Sequence, residues 1–160
     1  MDSPSRDDEL LTPKIVAAVH KAFEQDIPFN RVLGLKVDSL ALERSVLSFE
    51  TRPEHIGNFA RGILHGGVIS AVLDTTGGLV AYINALERVQ NLPEEDRLAI
   101  LTRIGTIDLR VDYLQVARGK GFRATGQILR TGSRVAVTRM ELHDARDELV
   151  ATGTGTYMIS

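Results

Sequence analysis

The sequence predicts an α+β domain in which an antiparallel sheet wraps one central helix, and three observations lead there. From Gly66 to about Leu86 the chain runs GGVISAVLDTTGGLVAYINAL, too long for a strand and apolar on nearly every side. It reads as a helix buried all round. From Ile104 onward come four β-prone runs, 104–116, 121–131, 134–144 and 148–159, broken only by turn residues. Short turns between successive strands imply an antiparallel meander. Finally, 160 residues with 43% hydrophobic and 25% charged side chains suit one compact core with little left for a second.

The elements follow in chain order. Residues 1–9 are polar and acidic and read as a tail, leaving 10–160 as a single domain. Leu11, Ile15, Ala18, Val19, Ala22 and Phe23 recur at helical spacing, so Leu10 to Gln25 is one amphipathic helix ending near Asp26-Ile27-Pro28. Leu33 to Glu43 and Val46 to Arg52 form a first hairpin, followed by a loop containing Pro53, Gly57 and Asn58. The apolar run from Gly66 has a membrane span as its rival reading, but Asp74 sits near its middle beside Thr75, Thr76, Gly77 and Gly78. No membrane partner is therefore expected. Pro93-Glu94-Glu95-Asp96 places proline and acids where a helix begins, so Leu92 to Thr102 is a short extra helix. It lies within an insertion, 84–103, where a few loop residues would suffice. Either its apolar residues wall a channel or they only dock the insertion on the domain.

Composition excludes several classes of chemistry. With no cysteine there is no disulfide framework, thiolate nucleophile or Cys-ligated metal. The N-terminus has no basic segment followed by an apolar one, and a cytoplasmic protein is the simplest expectation. The four histidines, His20, His55, His65 and His143, show no metal-ligand spacing, and no phosphate loop, dinucleotide fingerprint or serine elbow is present. Neither metal nor cofactor is expected. A net charge of −2 argues against nucleic acid as the partner. Yet residues 103–139 carry eight bases against Asp108 and Asp112. These bases are either solvated strand positions that discourage edge-to-edge association or a site for a phosphorylated small molecule.

Asp74 is the candidate chemical group. It is the only carboxylate between His65 and Leu86, and an isolated ionised carboxylate on such a helix is costly to bury. Water and hydrogen-bond donors at a cleft or interface would compensate, as would a proton held on the group. His65-Gly66-Gly67 stands at the helix start, where free N–H groups and the partial positive dipole can polarise a carbonyl. Gly67 and Asp74 are seven residues apart, about 10 Å along one helix, too far to act on one carbonyl. A second copy of the helix, antiparallel across a dimer interface, would bring Gly67 of one subunit to Asp74 of the other.

The run from Gly62 through His65-Gly66-Gly67 to Asp74 and Gly78, followed by Gly105-Thr106 and Tyr113-Leu114, resembles the signature of the PaaI-type hotdog-fold acyl-CoA thioesterases. Within them the chain is similar to the YigI-like subgroup, including Pro28-Phe29-Asn30-Arg31 and the acidic insertion before Arg103. The resemblance spans about residues 15 to 159. It implies a hotdog fold whose dimer pairs two central helices across one continuous sheet. It also implies that Asp74 acts as base or nucleophile, Gly67 supplies the oxyanion-binding N–H, and Thr106 positions water. Asn58 matches an upstream asparagine of the family, offset by one residue from its commonest spacing.

His65 borders this expected site, either bonding near the thioester or bracing its loop. Gly66, Arg118, Lys120 and Arg134 are the expected substrate contacts, the last three for the phosphates of CoA. The expectation is a homodimer, or a dimer of dimers, that hydrolyses medium- to long-chain acyl-CoA to fatty acid and CoA. Its rivals are a hotdog enoyl-thioester hydratase or dehydratase and a non-catalytic acyl-CoA-binding module.

Overall fold

The computed structural model describes residues 5–160. The polar segment expected as a tail lies outside the described residues through residue 4. Its remainder holds a short helix, α1 (Arg6–Leu10), started by a capping box between Ser5 and Asp8 and anchored by buried Leu10. Thr12 then caps α2 (Pro13–Lys21), with Pro13 in the first turn where its missing N–H costs nothing. Ile15, Val19 and Phe23 bury one face, and a π-helical turn, Ala22–Asp26, closes the segment.

The sequence reading ends this helix in the right place but misses a second one directly after it. Pro28 starts that helix, α3 (Pro28–Leu33), because proline is tolerated only in a first turn. Gly34 stops it in the left-handed conformation at φ 68°, with its N–H returned to the helix carbonyls. The β-prone run therefore contributes only β1 (Lys36–Ser39), paired antiparallel with β2 (Arg44–Glu50). A separate ribbon, β3 (Ile56–Asn58) with β4 (Ile63–Leu64), leads into the central helix α4 (Gly66–Ala85). Beyond it, α5 (Glu94–Ala99) and a 3-10 turn fill the insertion. The chain ends in β5 (Gly105–Tyr113), β6 (Gly121–Thr131), β7 (Val135–Asp144) and β8 (Leu149–Met158).

These strands form a six-stranded antiparallel sheet in the order β1-β2-β6-β7-β8-β5. The expected four-strand meander is corrected at one point: β6, β7 and β8 pair in sequence, but β5 crosses to the far side of β8. The connection over 114–120 is long enough for this. Seven extended residues reach about 23 Å, against about 14 Å for three inter-strand steps. On the way Ala117 and Arg118 pair with β4, which ties the crossing down beside the start of α4.

The sheet curls around α4 with alternate side chains facing it. Leu47, Phe49, Phe122, Ala124, Met140 and Leu142 meet Leu73, Leu79, Tyr82 and Ile83 in one core. Gly77 sets the closest approach: a Cβ there would lie 2.3 Å from the Tyr157 hydroxyl. The stretch Gly66–Val89 is long and apolar enough to cross a membrane, but 56% of its apolar window is buried within the domain. The second half of α4 is enclosed, from Leu79 to Ala85. Its first half is not, which corrects the expectation of a helix buried all round. Ser70, Ala71, Asp74, Thr75 and Gly78 are half-buried and Gly67 is exposed, and their spacing makes one stripe along the helix.

Candidate active site

Asp74 occupies that stripe, in the third turn of α4. Of the two ways to make its carboxylate tolerable, the structure shows donors at a cleft. Thr106 Oγ1, on the second residue of β5, donates to Asp74 Oδ1 at 2.9 Å. The Tyr157 hydroxyl, from β8, approaches the same Oδ1 at 3.2 Å and the Asp74 main-chain oxygen at 3.0 Å. Thr106 and Tyr157 are direct partners in the β5–β8 register, so one cross-strand pair holds the helix carboxylate.

Tyr157 is 1% exposed. Burial first, and then the negative charge of Asp74, push its hydroxyl well above the ordinary tyrosine range, so it stays a neutral donor. Sequence reasoning missed this residue. The available signal was the alternation Gly153-x-Gly155-x-Tyr157, which puts two small residues and one large, polar-tipped one on the face of β8 toward the helix.

A cavity of about 270 Å³ opens beside Asp74, Thr106 and Tyr157. Phe23 and Ile27, between α2 and α3, line it together with Phe29 and Asn30 from the first turn of α3 and with Leu101 and Ile104. The insertion thus contributes to the wall through Leu101. It also docks on the domain through Ile100, which is buried, and through Glu94, which accepts from Thr12 and pairs with Lys14 at 3.4 Å. The contribution of residues 23–30 was not anticipated, since the side chains of an amphipathic helix and its exit turn carry no mark of the cavity they border. A larger cavity, about 540 Å³, lies near β1 and β2 and contains none of the expected site residues. The Arg52 guanidinium on its wall is committed to the Arg31 and Val32 carbonyls at 2.8 and 3.3 Å.

The remaining expected residues fall elsewhere. His65 caps α4, its Nδ1 accepting the Gly67 N–H at 2.8 Å, and so braces the loop in this structure. The donor expected to bind an oxyanion is therefore held by the imidazole. Gly66 is the first residue of α4 and its carbonyl accepts from the Tyr113 hydroxyl at 3.0 Å. Asn58 lies exposed in the β3–β4 ribbon, where its Oδ1 accepts the Arg61 N–H at 3.2 Å and shapes the turn. None of these three lines the cavity at Asp74.

Arg118 and Lys120 are exposed beside β4 and the start of α4, whereas Arg134 is exposed at the opposite end of β6. The eleven residues of that strand separate them by about 30 Å within one chain. Arg110, Arg123 and Arg139 pair with acids, while Arg118, Lys120 and Arg134 form no ion pair among the described residues. No three His, Asp or Glu side chains cluster as a metal site among the described residues.

The sequence profile of the thioesterase superfamily matches residues 61–151, the stretch from the β3–β4 ribbon into β8. The chain is 42% identical over 150 residues to the medium/long-chain acyl-CoA thioesterase YigI of Escherichia coli (strain K12), covering 94% of this chain and 97% of that protein. It superposes with a TM-score of 0.86 and 40% identity on a crystal structure from Shewanella oneidensis related to the thioesterase superfamily, covering 92% and 96% of the two chains. A mutant of the phenylacetic acid degradation protein PaaI from Thermus thermophilus superposes at 0.63 with 26% identity, over 83% of this chain and 99% of that one.

Proposed function

The chain belongs to the thioesterase superfamily, and from that premise we propose that it is a cytoplasmic, homo-oligomeric hotdog enzyme hydrolysing medium- to long-chain acyl-CoA to fatty acid and CoA. The observation that carries the reading is a carboxylate on a central helix, held by two hydroxyl donors at the mouth of a largely apolar cavity. Such a cavity takes an acyl chain, and its polar end takes the thioester.

The site is shared between two subunits. The half-buried stripe of small residues around Asp74 fits a second copy of the helix. Strand β5 is an open nine-residue edge with Ile107 and Tyr113 more than half exposed, and it supports pairing with its own copy. Packed antiparallel, the helices bring Gly67 of one subunit toward Asp74 of the other. Arg118 and Lys120 travel with Gly67, while Arg134 sits at the end of the sheet where Thr106 and Tyr157 meet Asp74. The two-fold thus gathers on one CoA the bases that a single chain keeps apart.

In the reaction the Gly67 N–H leaves His65 Nδ1 and donates to the thioester oxygen as negative charge develops there. As a base, Asp74 takes a proton from a water oriented with Thr106. The water oxygen bonds to the acyl carbon, the C–S bond breaks, and the proton passes to the departing thiolate. As a nucleophile, Asp74 itself bonds to that carbon and expels the thiolate, and water then hydrolyses the mixed anhydride. Both routes start from an ionised carboxylate.

The test uses purified protein, a panel of acyl-CoA chain lengths and a thiol reagent that reports free CoA. Turnover rising toward medium and long chains is expected. Binding without turnover, or enoyl-CoA conversion without CoA release, overturns the hydrolase reading. Asp74→Asn should lower kcat by at least about 10²-fold. Mixing inactive Asp74→Ala with inactive Gly67→Val subunits should restore activity, and silence after demonstrated exchange refutes the shared site.

A further inference from the structure

We infer that Tyr157 is the positioning residue of the hydrolase site: together with Thr106 it fixes Asp74 through Oδ1 and leaves Oδ2 as the oxygen that meets water or the acyl carbon. The inference rests on the thioesterase reading above and adds to it which atom of the carboxylate reacts and what holds the other.

Both side-chain donors to Asp74, Thr106 Oγ1 at 2.9 Å and the Tyr157 hydroxyl at 3.2 Å, converge on Oδ1. Among the described residues no donor is bonded to Oδ2. An aspartate side chain turns freely about its terminal bond unless something holds it, and two donors on one oxygen hold it in one orientation. The Tyr157 proton is shared with the Asp74 main-chain oxygen at 3.0 Å, so the clamp grips backbone and side chain together.

Space is cleared for this contact. A Cβ at Gly77 would lie 2.3 Å from the Tyr157 hydroxyl, and one at Gly155 would lie 2.6 Å from it. Small residues on both the helix and the strand are therefore needed for the ring to reach the carboxylate. The two donors also differ in setting: Tyr157 is buried, whereas Thr106 is exposed at the cleft. Thr106 can exchange its bond to Oδ1 for one to water, and Tyr157 then keeps the carboxylate in place.

The role predicts effects on chemistry and not on binding. With acyl-CoA as substrate, Tyr157→Phe should lower kcat about 10-fold, the effect of one hydrogen bond to a charged group, and leave KM within twofold. Because a carboxylate that loses a donor is protonated more readily, the acid limb of the kcat/KM profile should move to higher pH. Inserting 3-fluorotyrosine at position 157 keeps the ring and strengthens the donor, so the limb should move the other way; this also serves if the phenylalanine variant fails to fold. In an Asp74→Asn background, Tyr157→Phe should cost nothing further in kcat.

An unmoved acid limb in both variants, or equal loss from Tyr157→Phe with and without Asp74, overturns the inference. Failure of the underlying reading looks different: the unaltered protein releases no CoA, or Asp74→Asn turns over normally.

Discussion

Gly77→Ala ties the packing of the helix to its chemistry. The added methyl group would lie 2.3 Å from the Tyr157 hydroxyl and 2.8 Å from both Met140 Sδ and Thr138 Oγ1. All three side chains are buried, so none can swing into solvent. Restoring an ordinary contact requires the phenol to withdraw by about 1 Å, because interiors are close-packed and the strain must go somewhere. Its bonds to Asp74, now 3.0 and 3.2 Å, would stretch to about 4 Å and cease to be hydrogen bonds.

Overpacking costs about 1–3 kcal/mol and the orphaned hydroxyl about 1–2 more, against about 1 kcal/mol gained from alanine's helix propensity. The net expectation is a loss of about 1–4 kcal/mol, with kcat falling as it does in Tyr157→Phe. Urea unfolding of the variant beside the unaltered protein, with CoA release measured on the same samples, reads both quantities. Stability equal to or above that of the unaltered protein with undiminished kcat would refute the close approach and the clamp that depends on it.

Two further substitutions probe the cavity wall. Leu101→Ala removes the insertion's contribution beside Asp74, so kcat/KM should fall more for long acyl chains than for short ones, by about 0.8 kcal/mol for each methylene left in water. A uniform loss across a chain-length panel would leave the insertion as scaffold. Asn30 is 3% exposed and its Nδ2 has no partner among the described residues. Asn30→Leu replaces an orphaned amide by an apolar group of similar size and should be neutral or stabilising by about 1–2 kcal/mol in urea unfolding. A destabilisation of about 2 kcal/mol or more would show that the amide is satisfied in solution.

The sequence alone determined the elements that rest on local pattern. The apolar length from Gly66 to Ala85 could only be a helix, and β6, β7 and β8 appear within a residue or so of the alternating runs that predicted them. His65-Gly66-Gly67 and Asp74 were legible because a glycine pair at a helix start and a lone carboxylate in an apolar run conflict with burial unless function explains them. Thr106 was legible only through resemblance, since nothing about a threonine near a strand start announces a partner 32 residues away.

What tertiary structure decided is non-local. The alternation of β5 is the same whether it pairs with β6 or β8. Its place at the far edge depends on which pairing lets residues 114–120 pass β4. The bond between Tyr157 and Asp74 joins residues 83 apart, and it forms because Gly77 and Gly155 leave room where helix and strand cross. Periodicity assigns a side chain to a face. Only the packing of two faces says which atoms meet there, and a carboxylate becomes a candidate catalyst through those atoms.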